Sequence, residues 1–229
     1  MGRVVFITGG TSGFGIETAQ RFKQSGDTVI IAARNFEKVK DTVKKCGFDD
    51  GFSLDVSNYE NWIEVKNSII QNYGRLDVLI NNAGCGGIID TIQIQTKESI
   101  DMVIDTNLKG VIYGCNVFAP HMIEQDEGTI INVASVAARE HWASWTLYCA
   151  SKAAVLSFSK SLYAELKNHK IRVSAILPGG AITGFQKECN IDEGGESMTA
   201  WDVADAILYC VNLSKDVVVE EITLRGIID

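Results

Sequence analysis

The first fifteen residues restrict the fold most strongly, because a short apolar run leads directly into a glycine-rich turn. Residues 3–8 form a continuous apolar run that is typical of a strand buried on both faces. Four glycines follow within seven positions: Gly9, Gly10, Gly13 and Gly15. Residues 16–24 then have helical periodicity. A strand, a glycine turn and a helix N-terminus together let the backbone approach a pyrophosphate, so this stretch predicts nucleotide binding.

The rest of the chain alternates strand-like and helix-like segments. The predicted strands are residues 28–33, 51–56, 76–81, 128–133, 171–177 and 217–224. The predicted helices are residues 59–73, 97–125, 148–168 and 199–213. Strict alternation predicts a parallel, doubly wound sheet with right-handed crossovers. A length of 229 residues suits a single large α/β domain.

Composition and charge exclude several classes of function. The net charge of −8 argues against binding to nucleic acid or to an anionic membrane. The six cysteines show neither C-x-x-C nor histidine-paired spacing, so we expect buried thiols and no metal site. No segment resembles a signal peptide or reaches transmembrane length. We therefore expect a cytoplasmic protein.

The end of the second predicted strand bears on the choice of dinucleotide. An acidic residue there would hold the ribose hydroxyls of NAD, whereas an arginine suits the 2′-phosphate of NADP. The chain has Ala33 and Arg34 at this point, which favours NADP(H). A solvated surface arginine is the alternative interpretation. Lys38 or Lys40 would assist the arginine or would simply be exposed.

A serine, a tyrosine and a lysine form the second candidate site. Ser135 follows the predicted strand 128–133, and Tyr148 and Lys152 lie one helical turn apart on the same helix face. In a dry pocket the lysine charge should lower the pKa of the phenol. Such a tyrosine could exchange a proton near neutral pH, while the serine hydroxyl binds the same substrate oxygen.

Two further features of the sequence bear on the site. Asn107 lies inside the long helical stretch 97–125, where asparagine is a poor helix former. It marks either a bend with a function or a tolerated surface position. Residues 183–196 are polar, contain glycines and have no periodicity, which predicts a mobile segment.

These motifs together resemble the short-chain dehydrogenase/reductase family over nearly the whole chain. The resemblance rests on segments in the family's order: Thr8-Gly9-x-x-x-Gly13-x-Gly15, Asn81-Asn82-Ala83-Gly84, Asn107, Ser135, Tyr148-x-x-x-Lys152 and Pro178-Gly179-x-x-x-Thr183. It implies a Rossmann-like, seven-stranded parallel sheet with helices on both faces. It also implies a single domain over residues 1–229 with a short substrate lid at about 183–199.

The resemblance implies a dinucleotide site made of the glycine turn, the strand ends and the segment after the sixth strand. The implied cofactor-binding residues are Thr8, Gly9, Thr11, Ser12, Gly13, Phe14, Gly15, Arg34, Asp55, Val56, Asn82, Ala83, Gly84, Tyr148, Lys152, Pro178, Gly179, Ala181 and Thr183. Many NADP-using members carry a basic residue where Ser12 stands, so the expected NADP(H) preference depends on Arg34.

The resemblance also implies catalytic roles. Tyr148 would be the general acid and base, Lys152 its activator, Ser135 the residue that positions the substrate oxygen, and Asn107 the holder of a proton-relay water. The reaction would be a reversible hydride transfer between NADP(H) and a small carbonyl or secondary alcohol, with a hydroxy-acid-like substrate suggested by residues 221–225.

Substrate contacts are expected between the serine and the tyrosine and at the start of the lid. The candidates are Ser135, His141, Trp142, Trp145, Tyr148 and Phe185. Packing or a subunit contact is the alternative for the tryptophans, and a surface position is the alternative for His141. The family resemblance further implies a homodimer or homotetramer. A catalytically silent dinucleotide-sensing protein with the same fold is the second hypothesis for function.

Overall fold

The structure, a computed structural model, describes residues 2–185, 189 and 198–227. Its sheet has seven strands in the order β3-β2-β1-β4-β5-β6-β7, and all neighbouring strands are parallel. The strands are β1 Val4–Thr8, β2 Thr28–Ala33, β3 Asp50–Ser53, β4 Val78–Asn81, β5 Gly128–Val133, β6 Ile171–Pro178 and β7 Glu221–Leu224. The predicted seven-stranded parallel sheet is confirmed.

Helices cover both faces of the sheet in the doubly wound arrangement. They are α1 Gly13–Gln24, α2 Phe36–Cys46, α3 Tyr59–Tyr73, α4 Lys97–Ile104, α5 Gly110–Gln125, α6 Thr146–Leu166 and α7 Ala200–Asn212. Short polar side chains start several of them: the Asn35 side chain accepts from the Lys38 amide at 3.0 Å, at the beginning of α2. Within the described part of the chain, no helix is long and apolar enough to cross a membrane.

The apolar core consists of two clusters, one on each face of the sheet. Every residue of β1 is buried, and successive side chains enter different clusters: Phe6 one, Val5 and Ile7 the other. Phe6 packs against the rings of Trp62 and Phe118, with centroids 6.2 and 5.7 Å away. A sheet buried on both faces explains why its strands read as continuous apolar runs in the sequence.

Some predicted boundaries differ from the structure. β3 ends at Ser53 rather than at residue 56, because the Asp55 carboxylate forms a tight turn with Ser57: the Ser57 amide donates to it at 3.0 Å and the Ser57 hydroxyl at 2.7 Å. The predicted helix 97–125 is interrupted by a π-helical turn at Asp105–Lys109. β7 begins only at Glu221. Most of the predicted mobile segment 183–196, and most of the predicted lid, lies outside the described residues.

The topology fixes where a ligand can bind. The strand order turns outward in opposite directions from β1 and β4, and ligands of open α/β sheets bind at the carboxyl ends of the strands at such a switch point. Gly9, Asn82 and Ser135 follow the carboxyl ends of β1, β4 and β5, so all three motifs reach this edge of the sheet.

Candidate active site

A cavity of about 480 Å³ lies at the carboxyl ends of the strands. It brings together most of the residues that the sequence predicted for the site. Those that line it are Gly9, Ser12, Gly13, Phe14, Asn82, Ala83, Gly84, Ser135, Trp142, Trp145, Tyr148, Lys152, Pro178, Gly179, Ala181, Thr183 and Phe185. The predicted residues that do not line it are Thr8, Thr11, Gly15, Arg34, Asp55, Val56, Asn107 and His141.

The glycine turn provides a backbone cradle at one end of the cavity. Gly9 and Gly13 have φ of 67° and 52°, a left-handed conformation that favours glycine. A Cβ on Gly15 would overlap the Gly9 carbonyl oxygen and would lie 2.6 Å from Nδ2 of Asn82. Ser12, Gly13 and Phe14 line the cavity at the N-terminus of α1. Close backbone and unpaired helix amides suit a pyrophosphate, so these residues fit the dinucleotide.

Thr8 acts behind the cradle rather than within it. Its hydroxyl accepts from the Asn82 amide at 3.1 Å and from the Ala83 amide at 3.0 Å. The side-chain amide of Asn82 in turn donates a hydrogen bond to the Thr8 carbonyl at 2.8 Å. These bonds join the chain after β4 to the end of β1, and they hold the two walls of the cradle at a fixed separation.

Two residues predicted for the adenosine end of the dinucleotide are exposed and lie outside the cavity. Arg34 follows β2, and its carbonyl accepts from the Ser53 hydroxyl at 3.2 Å. Among the described residues, no carboxylate lies within ion-pairing distance of its guanidinium. Asp55 uses its carboxylate in the turn after β3. Their predicted roles stay predictions.

Ser135 begins a 3₁₀ turn, Val136–Ala138, directly after β5. Its hydroxyl accepts from the Ala137 amide at 3.2 Å and donates to the Pro178 carbonyl at 3.4 Å. It also lies close enough to the Tyr148 side chain to lower the pKa of the phenol. The 3₁₀ turn and β6 therefore fix the serine beside the phenol, as the sequence predicted for two groups that bind one oxygen.

Lys152 is almost completely buried, at 4 % exposure. Its Nζ donates to the Val133 carbonyl at 2.9 Å and lies 5.7 Å from the Tyr148 ring centroid. A Cβ on Gly84 would come within 3.4 Å of this Nζ. The ammonium therefore lies between β5, α6 and the segment after β4, within van der Waals distance of a side chain at position 84.

Burial governs the ionisation of both groups. It raises the pKa of Tyr148 to about 12, against a smaller opposing effect of the Ser135 hydrogen bond, and it lowers the pKa of Lys152 to about 8. The expected lowering of the tyrosine pKa by the lysine charge is wrong, because the loss of solvent around the phenol raises this pKa and the effect that opposes the rise comes from Ser135. At neutral pH the phenol keeps its proton and can donate it.

Asn107 lies in the π-helical turn between α4 and α5 and is fully buried. Its side-chain oxygen accepts from the Cys85 amide at 2.8 Å, and its Nδ2 donates to the Cys85 carbonyl at 2.8 Å and to the Ser151 hydroxyl at 3.1 Å. The interpretation as a tolerated surface residue is therefore wrong. Asn107 ties the segment after β4 to α6; its role in a proton relay stays a prediction.

Four aromatic rings, Trp142, Trp145, Tyr148 and Phe185, form a continuous aromatic wall of the cavity. Neighbouring ring centroids along it are 6.1, 5.5 and 5.6 Å apart. His141 is exposed and does not line the cavity, in agreement with the interpretation as a surface residue.

The cavity also contains residues that the sequence analysis missed: Cys85, Val133, Ala134, Val136 and Gly180. Each lies within two positions in the chain of a predicted site residue. The signal that would have found them is position, because residues around the carboxyl end of a strand share the edge of the sheet where the ligand binds.

Comparison with known proteins agrees with this geometry. A profile of the family described as short chain dehydrogenase matches residues 3–194. An uncharacterized oxidoreductase of Staphylococcus haemolyticus is 32% identical over 231 aligned positions, covering 99% of this chain and 98% of the relative. The 3-oxoacyl-[acyl-carrier-protein] reductase of Thermotoga maritima is 39% identical over 183 positions, covering 78% and 74%.

Among solved structures, the closed form of a serine dehydrogenase complexed with NADP+ superposes with a TM-score of 0.93 at 29% identity. The alignment covers 98% of this chain and 95% of that protein. With the parallel sheet, the glycine cradle and the buried serine, tyrosine and lysine in place, the chain belongs to the short-chain dehydrogenase family of nicotinamide-dependent oxidoreductases that act on CH–OH groups.

Proposed function

We propose that the protein transfers a hydride reversibly between NADP(H) and a small carbonyl or secondary alcohol, with Ser135, Tyr148 and Lys152 as its catalytic residues. The observation that carries this proposal is their placement in one cavity with the glycine turn. The Ser135 side chain lies close enough to Tyr148 to influence its pKa, and the Lys152 ammonium lies 5.7 Å from the centroid of the Tyr148 ring.

The bound dinucleotide supplies the hydride, which protein side chains do not. Ser12, Gly13 and the first turn of α1 would hold its pyrophosphate. Lys152 and the segment from Asn82 would hold the ribose next to the nicotinamide. Thr183 and the backbone after Pro178 would hold the carboxamide. These residues line a single cavity and leave room for a group of this kind.

A preference for NADP(H) rests on Arg34. It follows β2, where the adenosine ribose of a dinucleotide is read, and the chain has no acidic residue at this strand end. A guanidinium without a carboxylate partner in the described part of the chain remains available for a 2′-phosphate. The similar serine dehydrogenase was solved with NADP+, which supports the same preference.

Ser135, Tyr148 and Lys152 together control the transfer of a proton to the substrate oxygen. In the reductive direction the Tyr148 hydroxyl, protonated at neutral pH, gives its proton to the carbonyl oxygen. The Ser135 hydroxyl binds that oxygen and stabilises its developing charge. With a pKa of about 8, Lys152 is mostly charged at neutral pH, and its charge stabilises the phenolate that remains. Asn107 would hold the water that returns a proton to this pair.

The comparisons support an oxo or hydroxyl group as the reacting centre. One relative is named for the reduction of a 3-oxoacyl group and one structural neighbour for the dehydrogenation of serine. Their names differ in the rest of the substrate, so they support the reaction class and leave open the hydroxy-acid-like substrate suggested by the sequence.

The test is turnover. Purified protein should oxidise NADPH in the presence of ketones and aldehydes, and reduce NADP+ with the matching alcohols, followed by absorbance at 340 nm. Binding of NADPH, seen as a change in tryptophan fluorescence, without turnover in either direction would support the dinucleotide-sensing protein instead.

We also propose a homodimer or homotetramer in the cytoplasm. The helices expected to pair between subunits are those next to Asn107 and the helix that carries Tyr148, namely α4, α5 and α6. Sedimentation velocity measures the assembly directly, and a monomer at micromolar concentration would contradict this proposal.

A further inference from the structure

We propose that the substrate is an uncharged carbonyl compound whose reacting group is attached to an aromatic ring, and that the aromatic wall selects it. The inference rests on the proposed function and deepens it by naming the substrate class. It is based on two observations, the aromatic wall and the distribution of charge in the cavity.

The aromatic wall runs from the rim of the cavity to the reacting phenol. Trp142 stands at the rim with 44 % of its surface exposed, whereas Tyr148 at the inner end reaches Ser135. Trp145 connects the two, with ring centroids 6.1 Å from Trp142 and 5.5 Å from Tyr148. A planar ring is the ligand that covers such a surface best, because stacked and edge-to-face contacts add to the burial of apolar area.

The cavity offers no charge to the far end of a substrate. Among the described residues that line it, Lys152 alone carries a charge. Its Nζ donates to the Val133 carbonyl and lies next to Gly84, on the side proposed for the ribose. The hydroxyls of Ser135 and Tyr148 are committed to the reacting oxygen. A substrate carboxylate buried against the aromatic wall would lose its hydration without gaining a partner.

The net charge of the chain adds to this bias. It is −8 for the whole sequence. An excess of negative charge lowers the local concentration of anionic substrates. Both observations disfavour an anionic hydroxy acid or oxo acid.

A cationic substrate is the remaining charged class. Aromatic faces attract cations, so the aromatic wall alone would accept one. The Lys152 ammonium, however, lies 5.7 Å from the Tyr148 ring centroid and would repel a second positive charge at the inner end. An uncharged aromatic ketone or aldehyde can pack against the aromatic wall and carries no charge that the cavity would disfavour.

The experiment compares kcat/KM for four ketones with NADPH: 4-methylacetophenone, 4-acetylbenzoate, phenacyltrimethylammonium, whose charge lies next to the carbonyl group, and cyclohexyl methyl ketone. The first three share a ring and differ in charge, and the fourth replaces the planar ring by a saturated one. We expect 4-methylacetophenone to exceed each of the other three by about tenfold or more, a size typical of one lost aromatic contact or one unpaired charge.

The Trp142→Leu variant tests whether the aromatic wall causes the preference for an aromatic ketone. Because Trp142 is 44 % exposed, its replacement should not affect folding. We expect the preference of this variant for 4-methylacetophenone over cyclohexyl methyl ketone to fall about threefold or more. Trp201→Leu is the matched control: Trp201 is 36 % exposed on α7, packs against Arg21 and does not line the cavity. The preference of the Trp201→Leu variant for 4-methylacetophenone over cyclohexyl methyl ketone should stay unchanged.

Equal or higher kcat/KM for the carboxylate, the ammonium compound or the saturated ketone would overturn the inference. So would a protein that reduces other carbonyl compounds but none of these four. A protein that turns over no carbonyl compound and no alcohol would instead overturn the proposed function itself, so the two failures are distinguishable.

Discussion

The two ends of the active-site cavity are built on different principles. At the dinucleotide end, the glycine cradle of residues 9–15 presents backbone, and a side chain added at Gly15 would overlap the Gly9 carbonyl. At the proposed substrate end, the side chains of Ser135, Tyr148 and Lys152, positioned by β5 and α6, face the cavity. The dinucleotide end therefore depends on the absence of side chains, whereas the substrate end depends on three particular side chains.

This difference predicts how each end fails. Adding atoms to the cradle should weaken dinucleotide binding and leave the proton chemistry formally intact. Removing one oxygen at the substrate end should abolish turnover while the dinucleotide still binds.

Tyr148→Phe should lower kcat about 10³-fold, which corresponds to ~4 kcal/mol of transition-state stabilisation. The variant removes only the proton donor and keeps the ring contacts with Trp145 and Phe185. NADPH affinity, measured by tryptophan fluorescence, should change less than twofold. Tyr163→Phe is the control, since Tyr163 lies on the same helix and does not line the cavity. Turnover of Tyr148→Phe near the wild-type rate would break the assignment.

Lys152 should give the protein a distinctive stability at alkaline pH. Its pKa falls from 10.5 to about 8 on folding, so the unfolded chain binds more protons between these values. The free energy of unfolding should therefore rise with pH across this window, by about 3 kcal/mol in total for this group.

Urea denaturation of the wild type and Lys152→Met at pH 7.5 and 9.5 isolates this contribution. The difference between the two proteins should change by about 2 kcal/mol in favour of the wild type at the higher pH. Staying below pH 10 avoids Tyr148, whose raised pKa has the opposite effect above that value. A difference that is independent of pH would show that folding does not lower the pKa of Lys152.

Gly15→Ala tests the cradle. Alanine usually stabilises a helix relative to glycine, but here its Cβ would overlap the Gly9 carbonyl, and the clash should prevail. We expect a loss of about 2 kcal/mol in stability and a loss of NADPH affinity of at least tenfold. Gly47→Ala is the control, because Gly47 has a positive φ of 69° with no neighbouring atom within 4 Å. If both variants lose NADPH affinity equally, the effect is not one of space in the cradle.

Arg34→Ala should raise the Kd for NADPH about tenfold, ~1.4 kcal/mol, and leave the Kd for NADH nearly unchanged, because only NADPH carries the 2′-phosphate. Lys38→Ala serves as the control, since Lys38 is the nearest exposed alternative on α2. Fluorescence titration of both dinucleotides measures the effect. Equal losses for NADPH and NADH would exclude the phosphate contact.

The sequence was most informative where a feature is local. The glycine turn, the strand runs and the spacing of Tyr148 and Lys152 can all be read from neighbouring residues, and the structure confirms the sheet that connects them. The cavity also brings Trp142, Trp145 and Phe185 to one wall, although only their order along the chain had suggested this.

What the sequence missed depends on packing between distant segments. The π-helical turn at Asn107 arises where Asn107 bonds the Cys85 backbone and Ser151, residues 22 and 44 positions away. The pKa of Tyr148 was predicted in the wrong direction, because burial of the phenol depends on the surrounding elements rather than on the lysine one turn away. Neither the π turn nor the degree of burial leaves a pattern in the nearby sequence.

The most direct test of the central claim is a crystal structure with NADP+ and an alcohol that the enzyme oxidises. We expect the Tyr148 Oη and Ser135 Oγ both to lie within hydrogen-bonding distance of the alcohol oxygen, with the Lys152 Nζ against the nicotinamide ribose. An alcohol oxygen bound away from either hydroxyl would contradict the account.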